Sequence, residues 1–106
     1  SKIGANTILT PRASLTFENY EECEALLKRL IEQNQTTIII DCKAVDFLDS
    51  RALEMMTQVN GELRQHGGVL KIANMNAVCR DILIVTRLIN GFHIYEDIPG
   101  AVRSKT

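Results

Sequence analysis

The sequence predicts an α/β fold: a four- or five-stranded, mixed but mostly parallel sheet flanked by about four helices. Three observations predict it. Apolar residues alternate between helical and strand spacing, in the order strand, helix, strand, helix, strand, helix, strand. The run Thr36-Thr37-Ile38-Ile39-Ile40-Asp41 is β-branched or apolar at adjacent positions, which suits a central strand covered on both faces. Strands separated by helices lie parallel and are joined by right-handed crossovers.

Taken in order, Ile8-Leu9-Thr10 before Pro11 reads as a short edge strand, where proline is tolerated, and Leu15-Thr16 as a second brief extended piece. From Phe17 to Asn34 the spacing turns helical, with Cys23, Leu26, Leu27, Leu30 and Ile31 on one stripe. Glu18, Glu21 and Glu22 favour the start of that helix, and Thr16 or Asn19 is placed to cap it. After the strand at 36–41 and a loop from Lys43 to Leu48, a second helix runs from about Ser50 to Gln65, with Ala52 or Leu53, Met56, Val59 and Leu63 inward. Met55 and Met56 read as one half-exposed and one core residue. His66-Gly67-Gly68 ends this helix, because glycine accepts left-handed backbone. Val69 to Ala73 is the next strand. Asn74 or Asn76 caps a third helix from about Ala77 to Leu88, with Val78, Ile82 and Val85 inward. Asn90-Gly91 makes a turn, Phe92 to Tyr95 a last short strand, and Pro99 begins a final helical turn.

A chain of 106 residues fits one domain, read as residues 1–106. Apolar residues at 45% and charged residues at 24% match a soluble globular protein. With no Trp and 5% aromatic residues, the core has to be aliphatic. The net charge of −1, from 12 basic and 13 acidic residues, and the lack of basic clusters speak against nucleic-acid binding. No apolar run approaches the ~18–20 residues that span a bilayer. The start, Ser1-Lys2-Ile3-Gly4-Ala5, lacks signal-peptide features and a Met, which fits a processed or excised fragment. Cys23, Cys42 and Cys79 are odd in number and far apart. They read as buried thiols in a reducing cytoplasm, without a disulfide framework or a metal pair.

One segment departs from plain scaffold: Asp41 through Leu53, where a buried strand ends in a carboxylate and Asp49-Ser50 opens a helix. Working groups gather beyond the carboxyl ends of strands in open α/β sheets. A helix N-terminus also presents N–H groups and positive dipole to a phosphate or an acidic group. On the residues alone, the favoured reading is that Asp49 or Ser50 simply caps the helix.

The run Ile38-Ile39-Ile40-Asp41, then Asp46-Phe47-Leu48-Asp49-Ser50, then Ala52-Leu53, resembles the core signature of STAS domains. In the anti-sigma-factor antagonists of that family an apolar strand ends in Asp, and a Phe-Met-Asp-Ser-(Ser or Thr)-Gly-Leu segment starts a helix. Gly68, Leu70 and Ile72, the segment Val78 to Ile82, and Thr86, Ile89-Asn90-Gly91, Phe92 and Ile94 continue the likeness, which covers about Thr36 to Asp97. The resemblance implies a bacterial regulator of transcription that binds a switch-type kinase or related anti-sigma factor. In phosphorylated members the acceptor is the second hydroxyl residue after the Asp; that position here is Arg51, and Ala52 stands where the family often has Gly. Ser50 is then either a substitute acceptor whose phosphate pairs with Arg51, or part of a constitutive binding surface in which Arg51 meets an acidic partner. The second reading is preferred. The partner-binding surface is expected at Asp46, Asp49, Ser50, Arg51 and Glu54.

Other classes have less behind them. His66 and His93 lack nearby nucleophile motifs, Asp46 and Asp49 do not make a metal set, and Gly67-Gly68 precedes a strand, unlike a nucleotide loop. No enzyme, cofactor or metal is therefore expected. A receiver domain phosphorylated on Asp41 needs an acidic pair after its first strand, and Ile8 to Arg12 has none. A STAS subunit or domain of an anion or lipid transporter is the alternative within the family.

Overall fold

The computed structural model describes residues 2–104. It opens with a hairpin, β1 (Lys2–Ile3) and β2 (Asn6–Leu9), whose turn uses Gly4 at φ 60°. Then follow α1 (Tyr20–Glu32), β3 (Thr37–Asp41), α2 (Ser50–Gln65), β4 (Val69–Ala73), α3 (Ala77–Val85), a 3₁₀ turn (Ile89–Gly91), β5 (His93–Tyr95) and α4 (Ile98–Arg103). The strands lie in sequence order, β1 antiparallel to β2 and all others parallel. The predicted mixed, mostly parallel sheet with four helices is therefore what forms. The strand reaches back to Asn6, and β1 covers its first half on the outside, at Asn6 and Thr7. It stops before Pro11, which has no N–H to give a ladder.

β3 is central because both its faces are apolar. Ile38 and Ile40 point into the main core with Leu70 and Ile72 of β4, Leu27 and Ile31 of α1, Met56 and Val59 of α2, and Cys79 and Leu83 of α3. Ile39 and Ala73, on the opposite face, pack under Ala101 of α4, with Ile98 and Val102 alongside. This second face is thin, and it holds a buried cation. Lys71, in register with Ile39 and His93, is 1% exposed. Its Nζ donates to the carbonyls of Ala101 at 2.8 Å and Ser104 at 3.1 Å and lies 5.6 Å from the centre of the Tyr95 ring. A positive group at a helix C-terminus satisfies carbonyls that have no partner within the helix. Asp97 closes the other end by accepting from the Gly100 N–H at 2.8 Å.

The segment between α2 and β4 needs both glycines, for different reasons. Gly67 takes φ 77°, and a Cβ on Gly68 would lie 2.5 Å from the Thr36 carbonyl oxygen and 2.7 Å from Leu63. α2 thus ends by passing tightly under the start of β3.

Several local expectations change. α1 begins at Tyr20 instead of Phe17, because the Thr16 carbonyl accepts from the Asn19 and Tyr20 N–H groups and forms a turn first. In α1 Leu26 is exposed and Leu30 half-buried, while Cys23, Leu27 and Ile31 are buried. Met55 and Met56 are both buried, since α2 lies deep between α1 and the sheet. The largest correction concerns α3: its buried residues are Cys79 and Leu83, whereas Val78 is 54% and Val85 80% exposed and Ile82 only half-buried. Seven of the nine residues of α3 are apolar, and the exposed Arg80 and Asp81 mark its outer side, leaving Cys79 and Leu83 to the core; the Asn76 cap and the Leu83 carbonyl, which accepts from the Leu88 N–H, hold the two ends of the helix. The helix ends three residues early because Arg87 turns left-handed at φ 63°.

Leu83→Ala should lower unfolding free energy by about 2–4 kcal/mol, as expected for a core cavity. Val85→Ala should change it by less than about 0.5 kcal/mol. Urea denaturation of both variants checks the rotation of α3; equal losses would contradict it.

Candidate functional site

The site begins where β3 stops. Asp41 is buried, and its Oδ1 accepts from the Lys43 N–H at 3.1 Å and from Asn74 Nδ2 at 2.9 Å. Asn74 reaches it from a left-handed position, φ 60°, which Asn tolerates. Asp41 thus closes the turn after the strand, with Lys43 Nζ 3.9 Å from its other oxygen.

The loop that follows is held from both sides. Ser14 Oγ accepts from the N–H groups of Asp46 at 3.0 Å and Phe47 at 3.1 Å. Asn76 Nδ2 donates to the Asp46 carbonyl at 3.1 Å, while Asn76 Oδ1 caps α3 at the Cys79 N–H at 2.8 Å. Leu15 pairs with Leu48 in an isolated parallel bridge, both side chains buried, so the extended piece expected at Leu15-Thr16 is present.

Asp49 completes the anchoring. Its backbone is extended, its Oδ1 accepts from the Ala52 N–H at 3.0 Å, and its Oδ2 accepts from the Phe17 N–H at 2.6 Å. One carboxylate therefore caps α2 and ties the approach to α1 onto it. Charge-assisted bonds of this kind are about twice as strong as neutral ones.

With Ala52 and Leu53 inward, Ser50, Arg51 and Glu54 are left on the exposed side of the first turn. Arg51 is not a loose cation. Nη1 meets Glu54 Oε1 at 3.1 Å, Nη2 donates to the Tyr20 hydroxyl at 2.5 Å, and the guanidinium carbon lies 4.9 Å from the Tyr20 ring centre. The hydrogen bond to Tyr20, then the Tyr20 and Glu54 charges, hold this guanidinium above its ordinary range. The structure thus brings Ser50, Arg51 and Glu54 together on one turn, places Asp46 exposed on the adjoining loop, and gives Asp49 a half-buried anchoring role.

Two aromatic residues missing from the expected site sit beside it. Phe17, 66% exposed, follows the turn bonded to Asp49, and Phe47, 48% exposed, lies two residues before Asp49. Two of the chain's three phenylalanines are therefore in solvent next to the same helix start. The sequence carried a weak signal, since both fall at element boundaries outside any apolar stripe. Exposed aromatics concentrated in one place mark interaction surfaces.

The thiols take no part in this surface. Burial, first of all, pushes Cys23 up to about 11 and Cys42 up to about 12, and it raises Cys79 as well. Among the described residues no group of three or more His, Cys, Asp or Glu is placed to hold a metal ion. No helix among them is long and apolar enough to cross a membrane.

Comparison with known proteins agrees with this geometry. The STAS domain family profile matches residues 1–101, and the chain belongs to that family. Its fold is similar to that of a Thermotoga maritima protein named as an anti-sigma factor antagonist, at 20% identity over 96% of this chain and 88% of that one, with a TM-score of 0.90. A sulfate transporter family protein from Wolinella succinogenes is similar at 14% identity over 92% and 81% of the two chains, with a TM-score of 0.81. The anti-sigma factor antagonist SpoIIAA, in its unphosphorylated form, is similar at 18% identity over 93% and 86%, with a TM-score of 0.73. Among curated proteins no sequence matches. At these identities the structural likeness is one of fold.

Asp49→Ala removes two acceptor contacts and should cost about 2 kcal/mol, the sum of a lost N-cap and a lost charged hydrogen bond. Ser50→Ala, at an exposed position, should stay within about 0.5 kcal/mol. Thermal and urea unfolding of the pair tests whether Asp49 is the anchor and Ser50 the presented group.

Proposed function

We propose that this chain is a non-catalytic, cytoplasmic regulatory STAS domain that works by binding a protein, in the manner of an anti-sigma-factor antagonist. Its partner would be a switch kinase or related anti-sigma factor, and it binds without needing phosphorylation. The surface is the first turn of α2 and the loop before it: Asp46, Ser50, Arg51 and Glu54, flanked by Phe17 and Phe47 and held in place by Asp49.

One observation carries the reading. By the resemblance of Asp49-Ser50-Arg51 to the family's Asp-Ser-(Ser or Thr) segment, Arg51 stands where phosphorylated members have their acceptor hydroxyl, and it is exposed and held against Tyr20 and Glu54. A held guanidinium loses less side-chain freedom on meeting a carboxylate than a mobile one, so it is prepared to dock an acidic partner. The exposed aromatic rings on either side supply apolar area to surround that contact. Ser50 lies beside this cation, and phosphate added there would compete with the acidic partner for Arg51.

A second reading keeps the surface and changes the setting. The fold likeness to a sulfate transporter family protein favours a STAS subunit or domain of a transporter. Affinity capture from the source cell separates the two: a sigma-factor regulator brings down a kinase or phosphatase, and a transporter component brings down membrane proteins.

Arg51→Glu should weaken binding of the captured partner at least tenfold, measured by calorimetry with purified proteins, and leave the melting temperature within about 2 °C. Unchanged affinity, or an unfolded variant, removes the surface from consideration. Incubation with the captured kinase should leave Ser50 unmodified by intact-mass measurement; stoichiometric phosphate there would instead make Ser50 the switch.

A further inference from the structure

We propose that α4 is a latch that opens as a unit while the rest of the fold stays formed, and that the buried ammonium of Lys71 is its lock. The motion is separate from the proposed protein surface and leaves it in place, because α4 packs on the face of the sheet opposite α1, α2 and α3.

Apolar contact alone holds α4 weakly. The helix has six residues, too few to persist without tertiary contacts, and Gly100 in its middle is among the poorest helix formers. Ala101 is its one buried residue, with Ile98 and Val102 half-buried. The main core is built from α1, α2, α3 and the strands, and no residue of α4 is part of it. Glu96 and Asp97, which join β5 to α4, are both exposed. Lifting α4 from that point uncovers Ile39 and Ala73 and leaves the main core closed. Segments with few buried apolar contacts open at free energies below that of global unfolding.

The stronger attachment is polar and centres on Lys71. Its Nζ donates to the Ala101 and Ser104 carbonyls, and the Tyr95 ring beneath it is tied to the same end of α4 by the 2.7 Å hydrogen bond between the Tyr95 hydroxyl and Ser104 Oγ. Lys71 is the one buried cation among the described residues, and no ion pair among them includes it. Burial strips the ammonium of its hydration, and only neutral carbonyls and a ring replace that water. Opening α4 returns the charge to solvent. The group that holds the helix down therefore also lowers the cost of releasing it, a compensation that no other helix of the fold has.

The lock is also a nucleophile hidden by the element it holds. With α4 closed, Lys71 is 1% exposed and out of reach of an acylating reagent, whereas Lys2, Lys28 and Lys43 are exposed. Acylation of Lys71 thus reports the open state. The far end of the helix supplies an independent handle: Asp97 Oδ1 accepts from the Gly100 N–H at 2.8 Å, with no contact to Lys71. Weakening that cap shifts Lys71 reactivity only if the helix lifts as one piece.

The test labels the intact chain with the N-hydroxysuccinimide ester of acetic acid and follows each lysine by peptide mass, in urea concentrations below the unfolding transition. Amide hydrogen exchange is read in parallel. Lys71 should be acylated about a hundredfold more slowly than Lys28, at a rate that low urea scarcely changes. The Ala101 and Ser104 amides should exchange about a hundredfold faster than those of Ile39, Ile40 and Leu70. Asp97→Ala should speed Lys71 acylation about fivefold with the melting temperature unchanged. Lys71→Met should speed exchange at Ala101 and Ser104 about tenfold and leave the β3 amides as they were. Should that variant unfold, the parent chain and Asp97→Ala still decide. Lys71 labelled as fast as Lys28, labelling that follows global unfolding in rate and urea dependence, or an Asp97→Ala chain labelled as the parent is would overturn the latch. A folded Lys71→Met chain whose α4 amides exchange no faster than the parent's would overturn Lys71 as its lock.

Discussion

The carboxylate of Asp49 is the constraint on which the rest of this surface depends. It is shared between the Ala52 N–H and the Phe17 N–H, so the start of α2 and the entry to α1 are held to one point. Because α2 must also bury Ala52, Leu53, Met55 and Met56 against the sheet and α1, its rotation follows from the cap and the core together. Ser50, Arg51 and Glu54 have no direction left to face except solvent. A residue that looks like a functional carboxylate is in this chain the support of its neighbours.

The two faces of the sheet are finished by different physics. On one, α1, α2 and α3 bury a continuous aliphatic core with almost no polar atoms. On the other, α4 alone covers the centre with little apolar area, and Lys71 adds two hydrogen bonds to the end of that short helix. Burying an ammonium group is costly unless its donors are satisfied. Carbonyls at a helix C-terminus satisfy them without a counter-charge. The thinner layer therefore depends on polar geometry more than on burial, and it is where a small change in the last residues would be felt most.

α2 spans from the proposed protein surface to the connection between α3 and β5. Its first turn carries the exposed residues of the proposed protein surface, and its third and fourth turns carry Asn60 and Arg64 beside the connection from α3 to β5. The helix is buried along one side throughout, from Ala52 to Leu63. Close-packed elements transmit displacements instead of absorbing them.

Much of this was legible in the residues themselves, where the signal is local. α2 runs from Ser50 to Gln65 and β4 from Val69 to Ala73, as their capping, glycine and β-branched patterns imply. Asp49-Ser50 as a helix start, and the order of strands and helices, needed no tertiary knowledge, because hydrogen bonds within three residues and periodicity decide them. What only the folded chain decided involves partners far along the sequence. Which of its apolar residues α3 buries was decided by its packing, since seven of its nine positions are apolar. Lys71 can be buried within β4 because the carbonyls of Ala101 and Ser104, about thirty residues on, are placed over it. Phe17 comes to the start of α2, and Arg51 finds Tyr20, through contacts spanning about thirty residues. Local pattern sets which elements form and where they begin; long-range contact alone assigns each side chain its neighbours, and the chemistry of a site is made of neighbours.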